Sequence, residues 1–205
     1  GTAVGGVYYN PPVILRTTNG GATWVSQSAG SVDAGLYGVF FTDANTGTAV
    51  GTGLSGGGTI LRTTNGGVSW TSQTSGTTNT LYGVFFTDAN TGTVVGSGGT
   101  ILRTTNGGAT WTSQYSATTN TLNAVYFSDV NTGTVVGASG EIFRTTNGGG
   151  TWARQSSGTT NTLNGVSFAD ANNGVVVGSS GTILRTTNGG ATWTSQSSGT
   201  TSTLY

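Results

Sequence analysis

The sequence contains no cysteine, methionine, histidine or lysine, and only two prolines. Its six cations are all arginine, and six acids balance them to a net charge of zero. Each absence removes a class of chemistry. Without cysteine there is no disulfide and no thiolate nucleophile. Without histidine there is no imidazole base, no Ser-His-Asp triad and no His–Cys metal site. A neutral chain with so few cations has no electrostatic field for nucleic-acid backbones, so nucleic acid is not expected as a partner. No apolar run reaches the roughly 18 residues of a membrane span. No metal and no cofactor is expected.

What is present is glycine, 38 of 205 residues, with threonine, serine and asparagine filling most polar positions. Such a composition taken alone reads as low complexity. Its apolar residues, however, recur at fixed intervals. Trp24, Trp70, Trp111, Trp152 and Trp193 are spaced by 46 and then three times by 41 residues. The text around each tryptophan is nearly the same, so the chain carries five copies of one unit.

Each unit reads as four short strands. In the third copy these are strand a over residues 81–87 (LYGVFFT), strand b over 93–96 (TVVG), strand c over 100–105 (TILRTT) and strand d over 109–114 (ATWTSQ). A DANTG turn joins a to b, and an Asn106–Gly107 hairpin signal joins c to d. No stretch has helical periodicity with caps. Four antiparallel strands in a repeat of about 40 residues are the mark of a β-propeller blade. The expected fold is all-β: one domain, 1–205, a five-bladed propeller with four-stranded antiparallel blades. The chain starts in strand b (GTAVG) and ends in TLY, the beginning of strand a. The termini are therefore expected to meet in one blade as a non-covalent clasp. Some nine residues of a standard repeat, the equivalents of 83–91, are missing between them. Two explanations stay open, an incomplete first blade or a piece of a longer polypeptide. The sequence has no initiator methionine and no signal peptide, which fits a mature or trimmed chain.

Every c–d connection carries Thr-x-Asn-x-Gly-x-(Thr/Ser)-Trp, first as Thr17, Asn19, Gly21 and Trp24. The pattern recurs at Asn65 and Trp70, Asn106 and Trp111, Asn147 and Trp152, and Asn188 and Trp193. It resembles the Asp-box, or bacterial neuraminidase repeat, with Asn where Asp is usual. The wider unit is similar to the propellers of the photosystem II assembly/stability factor type. That resemblance implies a propeller fold; it does not select a function, because the same box occurs in glycosidases, receptors and assembly factors. The residues themselves suggest a structural role. The short amide bonds its own turn, glycine supplies positive φ, and the indole fills the gap between sheets with its N–H seeking an acceptor.

Arg16, Arg62, Arg103, Arg144 and Arg185 repeat on strand c, and Asp43, Asp88, Asp129 and Asp170 repeat after strand a. They are expected on one rim, as Arg–Asp pairs or Arg–carbonyl bonds. The alternative reading is an arginine array for an acidic ligand.

Near-identical copies leave little room for catalysis, which needs different residues in different roles. Only the points of divergence are candidate sites. Asp33, and Glu141 in place of a strand-c threonine, are the divergent carboxylates, and a glycosidase would use such a pair. The enlarged loops with Tyr8, Tyr9, Asn10 and Leu54 offer aromatic and polar contacts to a protein or glycan. Together these point to a non-enzymatic, secreted or surface binding or assembly module in an extracellular or cell-surface setting. The alternatives are a multivalent lectin, a structural surface or filament subunit that self-associates, and a glycoside hydrolase.

Overall fold

The computed structural model describes residues 1–6, 12–30, 34–53 and 56–205. These residues form nineteen short strands in five antiparallel sheets. Blade 1 holds β1 (Thr2–Gly5), β2 (Val13–Arg16) and β3 (Val25–Gln27). Blade 2 holds β4 (Ala34–Phe41), β5 (Gly47–Gly53), β6 (Gly58–Thr63) and β7 (Thr71–Gln73). Blade 3 holds β8 (Leu81–Phe86), β9 (Gly92–Gly96), β10 (Ile101–Thr104) and β11 (Thr112–Ser113). Blade 4 holds β12 (Leu122–Phe127), β13 (Gly133–Gly137), β14 (Ile142–Thr145) and β15 (Ala153–Gln155). Blade 5 holds β16 (Leu163–Phe168), β17 (Gly174–Gly178), β18 (Ile183–Thr186) and β19 (Thr194–Gln196). Helix is confined, among the described residues, to 3-10 turns such as Ala138–Gly140. The fold is the all-β, five-bladed propeller class that the repeat implies. The residues group into two compact units, 1–94 with 102–112, and 95–101 with 113–205.

Strand order in each sheet follows chain order, as hairpin connections require. In blades 3 and 4 strand b is buried along its whole length, which explains its near-continuous small and β-branched text, GTVVG. Strand a instead alternates and carries a bulge near its start, between Leu36 and Gly38, Leu122 and Ala124, and Leu163 and Gly165. The apolar core lies between successive blades. In the first unit one cluster joins Val50, Ile60, Leu81, Val84, Phe86, Val94 and Leu102. In the second, Val136, Ile142, Leu163, Val176 and Leu184 play the same part. Each such fully buried aliphatic side chain contributes roughly 1.5–3 kcal/mol.

Strand d is shorter than the sequence suggests. In blade 3 it covers Thr112–Ser113 rather than 109–114. The box takes the missing residues for a turn of its own. Thr104 Oγ1 accepts the Gly108 N–H at 2.9 Å and donates to Asn106 Oδ1 at 2.9 Å. Asn106 Oδ1 accepts the Thr110 N–H at 3.0 Å, and its Nδ2 donates to Thr110 Oγ1 at 2.9 Å. Gly107 and Gly108 both take positive φ. The same bonds recur around Asn19, Asn65, Asn147 and Asn188. These side-chain bonds satisfy a turn whose backbone cannot continue the ladder.

The first sheet departs from the four-strand expectation. Among the described residues it contains β1, β2 and β3, all from the N-terminal segment. Residues 202–205 instead follow the rule of an incoming copy on blade 5. The Leu204 N–H donates to Gly178 O, and Asn164 Nδ2 donates to Leu204 O at 2.9 Å, as Asn123 does to Leu163 O at 2.8 Å.

A repeated latch joins one blade to the next. Arg16 and Arg62 donate through Nη1 to the strand-b threonine of their own blade, Thr2 and Thr48. Through Nη2 they donate to the turn carbonyl of the following blade, Ala44 and Ala89, and their guanidinium groups lie over Phe41 and Phe86. Arg144 does the same with Thr134, Ala171 and Phe168. A second contact runs beside it: the Trp111, Trp152 and Trp193 indole N–H groups donate to Gln73, Gln114 and Gln155 of the preceding copy, each at 3.3 Å. The indole therefore finds its acceptor in a neighbouring blade. The equivalent Trp70 Nε1 and Gln27 Oε1 are both buried with no hydrogen-bond partner among the described residues.

Candidate functional site

Blade 4 is where the repeat breaks in charge. Glu141 directly precedes β14 and replaces the threonine found at 100 and 182. The turn before it is tight. Ser139 and Gly140 both have positive φ, and a Cβ on Gly140 would lie 2.0 Å from Thr159 O. The turn directs the Glu141 side chain inward, where it is only 7% exposed. Its Oε2 accepts the Thr118 hydroxyl at 2.8 Å, and its Oε1 lies 3.7 Å from Arg154 Nη2.

Arg154 is the arginine outside the repeated position, on β15 where the other copies have serine. It pairs in register with Phe143, which sets it diagonally across the hairpin from Glu141. Its side chain is 64% exposed. The guanidinium therefore anchors one edge on a buried carboxylate and turns its remaining donors outward. They face a cleft of about 750 Å³ lined by Arg154, Gln155, Ser157, Thr159, Thr160 and Gly140. The Ser157 and Thr159 hydroxyls hold the loop, Ser157 donating to Thr159 O at 3.1 Å and Thr159 accepting the Asn161 N–H at 3.1 Å. The cleft is thus polar, with the Arg154 guanidinium as its charged donor.

Of the sequence candidates, Glu141 is the one within the described residues; Tyr8, Tyr9, Asn10, Asp33 and Leu54 lie outside them. Of the Asp33–Glu141 pair, Asp33 thus lies outside the described residues. Arg154 was not among the candidates, although its signal was in the sequence, a second charge substitution in the copy that carries Glu141. Among the described residues no group of three His, Cys, Asp or Glu side chains could hold a metal, and no helix is long and apolar enough to cross a membrane.

The repeated charges resolve in favour of Arg–carbonyl bonds over Arg–Asp pairs. Each aspartate is committed to its own turn. Asp129 Oδ1 accepts the N–H groups of Asn131 at 2.8 Å and Thr132 at 3.0 Å, and Asp43, Asp88 and Asp170 repeat this. These bonds hold the carboxyls below their ordinary range. The amide of Asn45 leads for Asp43, that of Asn131 for Asp129, and the side chain of Asn173 for Asp170. At Asp88 partial burial opposes the shift, and the Asn90 and Thr91 bonds outweigh it. Burial lowers the Arg62, Arg103 and Arg144 guanidinium groups from their ordinary value, with Asp43, Asp88 and Asp129 acting against it. Arg185 is exposed, and Val175 stands where its hydroxyl partner would be.

Five sheets of one repeat, each closed by the same box turn, define a BNR-type β-propeller. More particularly, the chain resembles the photosystem II assembly factor: residues 63–156 match the family described as Photosynthesis system II assembly factor YCF48. YCF48 from Cyanidioschyzon merolae superimposes with a TM-score of 0.69 at 20% identity, over 91% of this chain and 64% of that one. A structure of YCF48 bound to D1 peptide gives a TM-score of 0.54 at 15% identity, over 95% of this chain and 88% of that one. The GH74 enzyme of Niastella koreensis gives 0.74 at 21% identity, over 95% of this chain but 36% of its own. At these identities the likeness is one of fold. No curated protein matches the chain.

Proposed function

We propose that this chain is a non-enzymatic binding or assembly module that works outside the cell or on its surface, with the blade 4 cleft engaging an extended, acceptor-rich segment of a protein partner. The observation that carries the reading is the state of Glu141. Its carboxylate is buried and committed to Thr118 and Arg154, so it holds a guanidinium in place and does not reach a substrate. Glycoside hydrolysis needs two carboxylates flanking a bond; among the described residues no carboxylate lines this cleft, and Glu141 is buried against Thr118 and Arg154. A propeller of the similar YCF48 type binds a peptide, which supports a peptide ligand here. Acidic side chains and free carbonyls suit the outward donors of Arg154.

The test is binding of acidic, neutral and basic peptide sets to the whole chain and to Arg154→Ser, which restores the residue of the other copies. Acidic peptides should bind best and lose about tenfold on substitution; equal binding of all sets, or indifference to Arg154→Ser, would overturn the reading. A lectin is the second reading, favoured by the hydroxyl-lined cleft, and a glycan array on the same two proteins separates it. Xyloglucan should be left intact; hydrolysis lost in Glu141→Gln would make the chain an enzyme like its GH74 neighbours.

A further inference from the structure

Just after β11, Tyr115 stands where the other copies have Ser28, Thr74, Ser156 and Ser197, and it is 86% exposed. An exposed ring counts for little by itself; its setting singles this one out. Ser156, its equivalent one copy later, lines the blade 4 cleft together with Arg154. Tyr115 therefore sits on the same rim as that cleft, on the loop that leads from blade 3 into blade 4.

That loop is built as a fixed platform. Gly99 passes so close to it that a Cβ there would lie 1.9 Å from Thr118 O. The Gly99 N–H donates to Asn120 O at 2.9 Å, and the Ala138 N–H donates to Thr121 O at 2.9 Å. Within the loop, Ser116 Oγ donates to Thr118 O at 3.2 Å, and Thr118 Oγ1 accepts the Asn120 N–H at 3.0 Å. Ala117 holds a φ of 58° where the other copies have Gly30, Gly76, Gly158 and Gly199. A residue with a Cβ keeps that left-handed backbone only where its surroundings impose it. The platform is also tied to the cleft. Thr118, further along the same loop, donates to Glu141 Oε2 at 2.8 Å, and Glu141 Oε1 lies 3.7 Å from Arg154. In blades 3 and 5 the place of Glu141 is taken by Thr100 and Thr182, whose hydroxyls donate back into their own turns at 2.7 Å.

We infer that Tyr115 and Arg154 form one two-point site for an extended acidic segment that also carries an aromatic side chain. The site rests on the reading of the blade 4 cleft as one for acidic peptides, and it specifies a second residue of the partner. Of the joined pair, Glu141 is buried and Arg154 reaches solvent, so the charge a partner meets here is positive. Arg154 takes the carboxylate through its outward donors. Tyr115 offers a flat apolar face with a hydroxyl tip, on which a second ring stacks, and it has few rotamers to lose on binding. A platform ordered before the partner arrives keeps the entropic cost of binding low. An extended partner advances about 3.3 Å per residue, so acid and ring must stand a set number of residues apart.

The experiment titrates a peptide series calorimetrically into the whole chain. Each peptide carries a pair of glutamates in a Gly-Ser background. A phenylalanine is either absent or stepped away from the glutamates, from adjacent to about eight residues distant. The best-spaced peptide should bind about tenfold more tightly than the one without phenylalanine. Tyr115→Ser should erase that gain, Tyr115→Phe should retain it, and Arg154→Ser should weaken every peptide. Indifference to the phenylalanine or to its spacing, or a gain that survives Tyr115→Ser, would overturn the inference while leaving the acidic-peptide reading of the cleft in place. Acidic peptides that fail to bind up to about 1 mM, or that bind Arg154→Ser equally well, would overturn both.

Discussion

Blade 1 and blade 4 are written in the same repeat, and they differ in how much of that repeat is satisfied. In blade 4, strand b is buried throughout, Trp152 is covered by Phe127 and bonded to Gln114, and Gly137 is pressed by the backbone of Thr121. In blade 1 the corresponding strand, indole and glycine are all present, and none is closed over among the described residues. A residue's identity therefore does not set its energetic weight; the neighbour that completes its contact does. Blade 4 differs in a second way, since its hairpin carries Glu141 and Arg154 in addition to the repeated arginine, Arg144.

Substitutions at paired positions would sharpen this contrast. The largest effect belongs to glycine. Gly137→Val drives a side chain into backbone and should cost about 4 kcal/mol or more, whereas Gly5→Val should leave the urea midpoint unchanged. Comparable losses at both sites would mean that blade 1 is closed after all. Next comes tryptophan. Trp152→Ala should cost about 3–5 kcal/mol and Trp24→Ala about 1 kcal/mol, read from the same unfolding curves. The box should distinguish the two blades least, because its bonds are local. Asn147→Ala and Asn19→Ala each remove the acceptor of one turn amide and should each cost about 1 kcal/mol; a gap between them of more than about 1 kcal/mol would show that the box depends on its neighbours.

Acid gives the smallest and most graded test. Asp43, Asp88, Asp129 and Asp170 cap the a–b turns of blades 2 to 5, and blade 1 has no counterpart. Their carboxyls titrate below the ordinary value of 3.8. The folded chain therefore holds these protons less tightly than the unfolded one. The contribution is complete above the ordinary value and is lost as pH falls through the lowered one. Hydrogen exchange at the Asn131 and Thr132 amides should accelerate in that window, while β1 stays level. Asp129→Asn should remove the pH dependence at its own turn and leave the other three.

The architecture was readable because strand text is redundant. GTVVG and LYGVFF state burial and alternation five and four times over, and noise in one copy is corrected by the next. The box misled at its edge for a physical reason. Ala109 and Thr110 look like strand residues, yet Asn106 and Thr104 recruit their backbone into a turn, and side-chain bonds of that kind leave no periodicity. The arginine and aspartate rows were visible, but their partners were not, since the Arg62 acceptor is a backbone carbonyl in the next copy. Glu141 stood out as a substitution. Its link to Arg154 needed the hairpin register, because the two are neighbours only through the pairing of Phe143 with Arg154.

The latch also has a direction. Arg16 and Gln27 reach forward to carbonyls at Ala44 and Gly66, and Arg62 and Gln73 reach forward to Ala89 and Gly107. A chain emerging from the ribosome N-terminus first would finish each module only after its successor had appeared. Growth of this kind proceeds by sealing backwards, so a stalled or shortened translation product would always present one unsealed module at its trailing end, and chaperones would meet that surface rather than a random collapse.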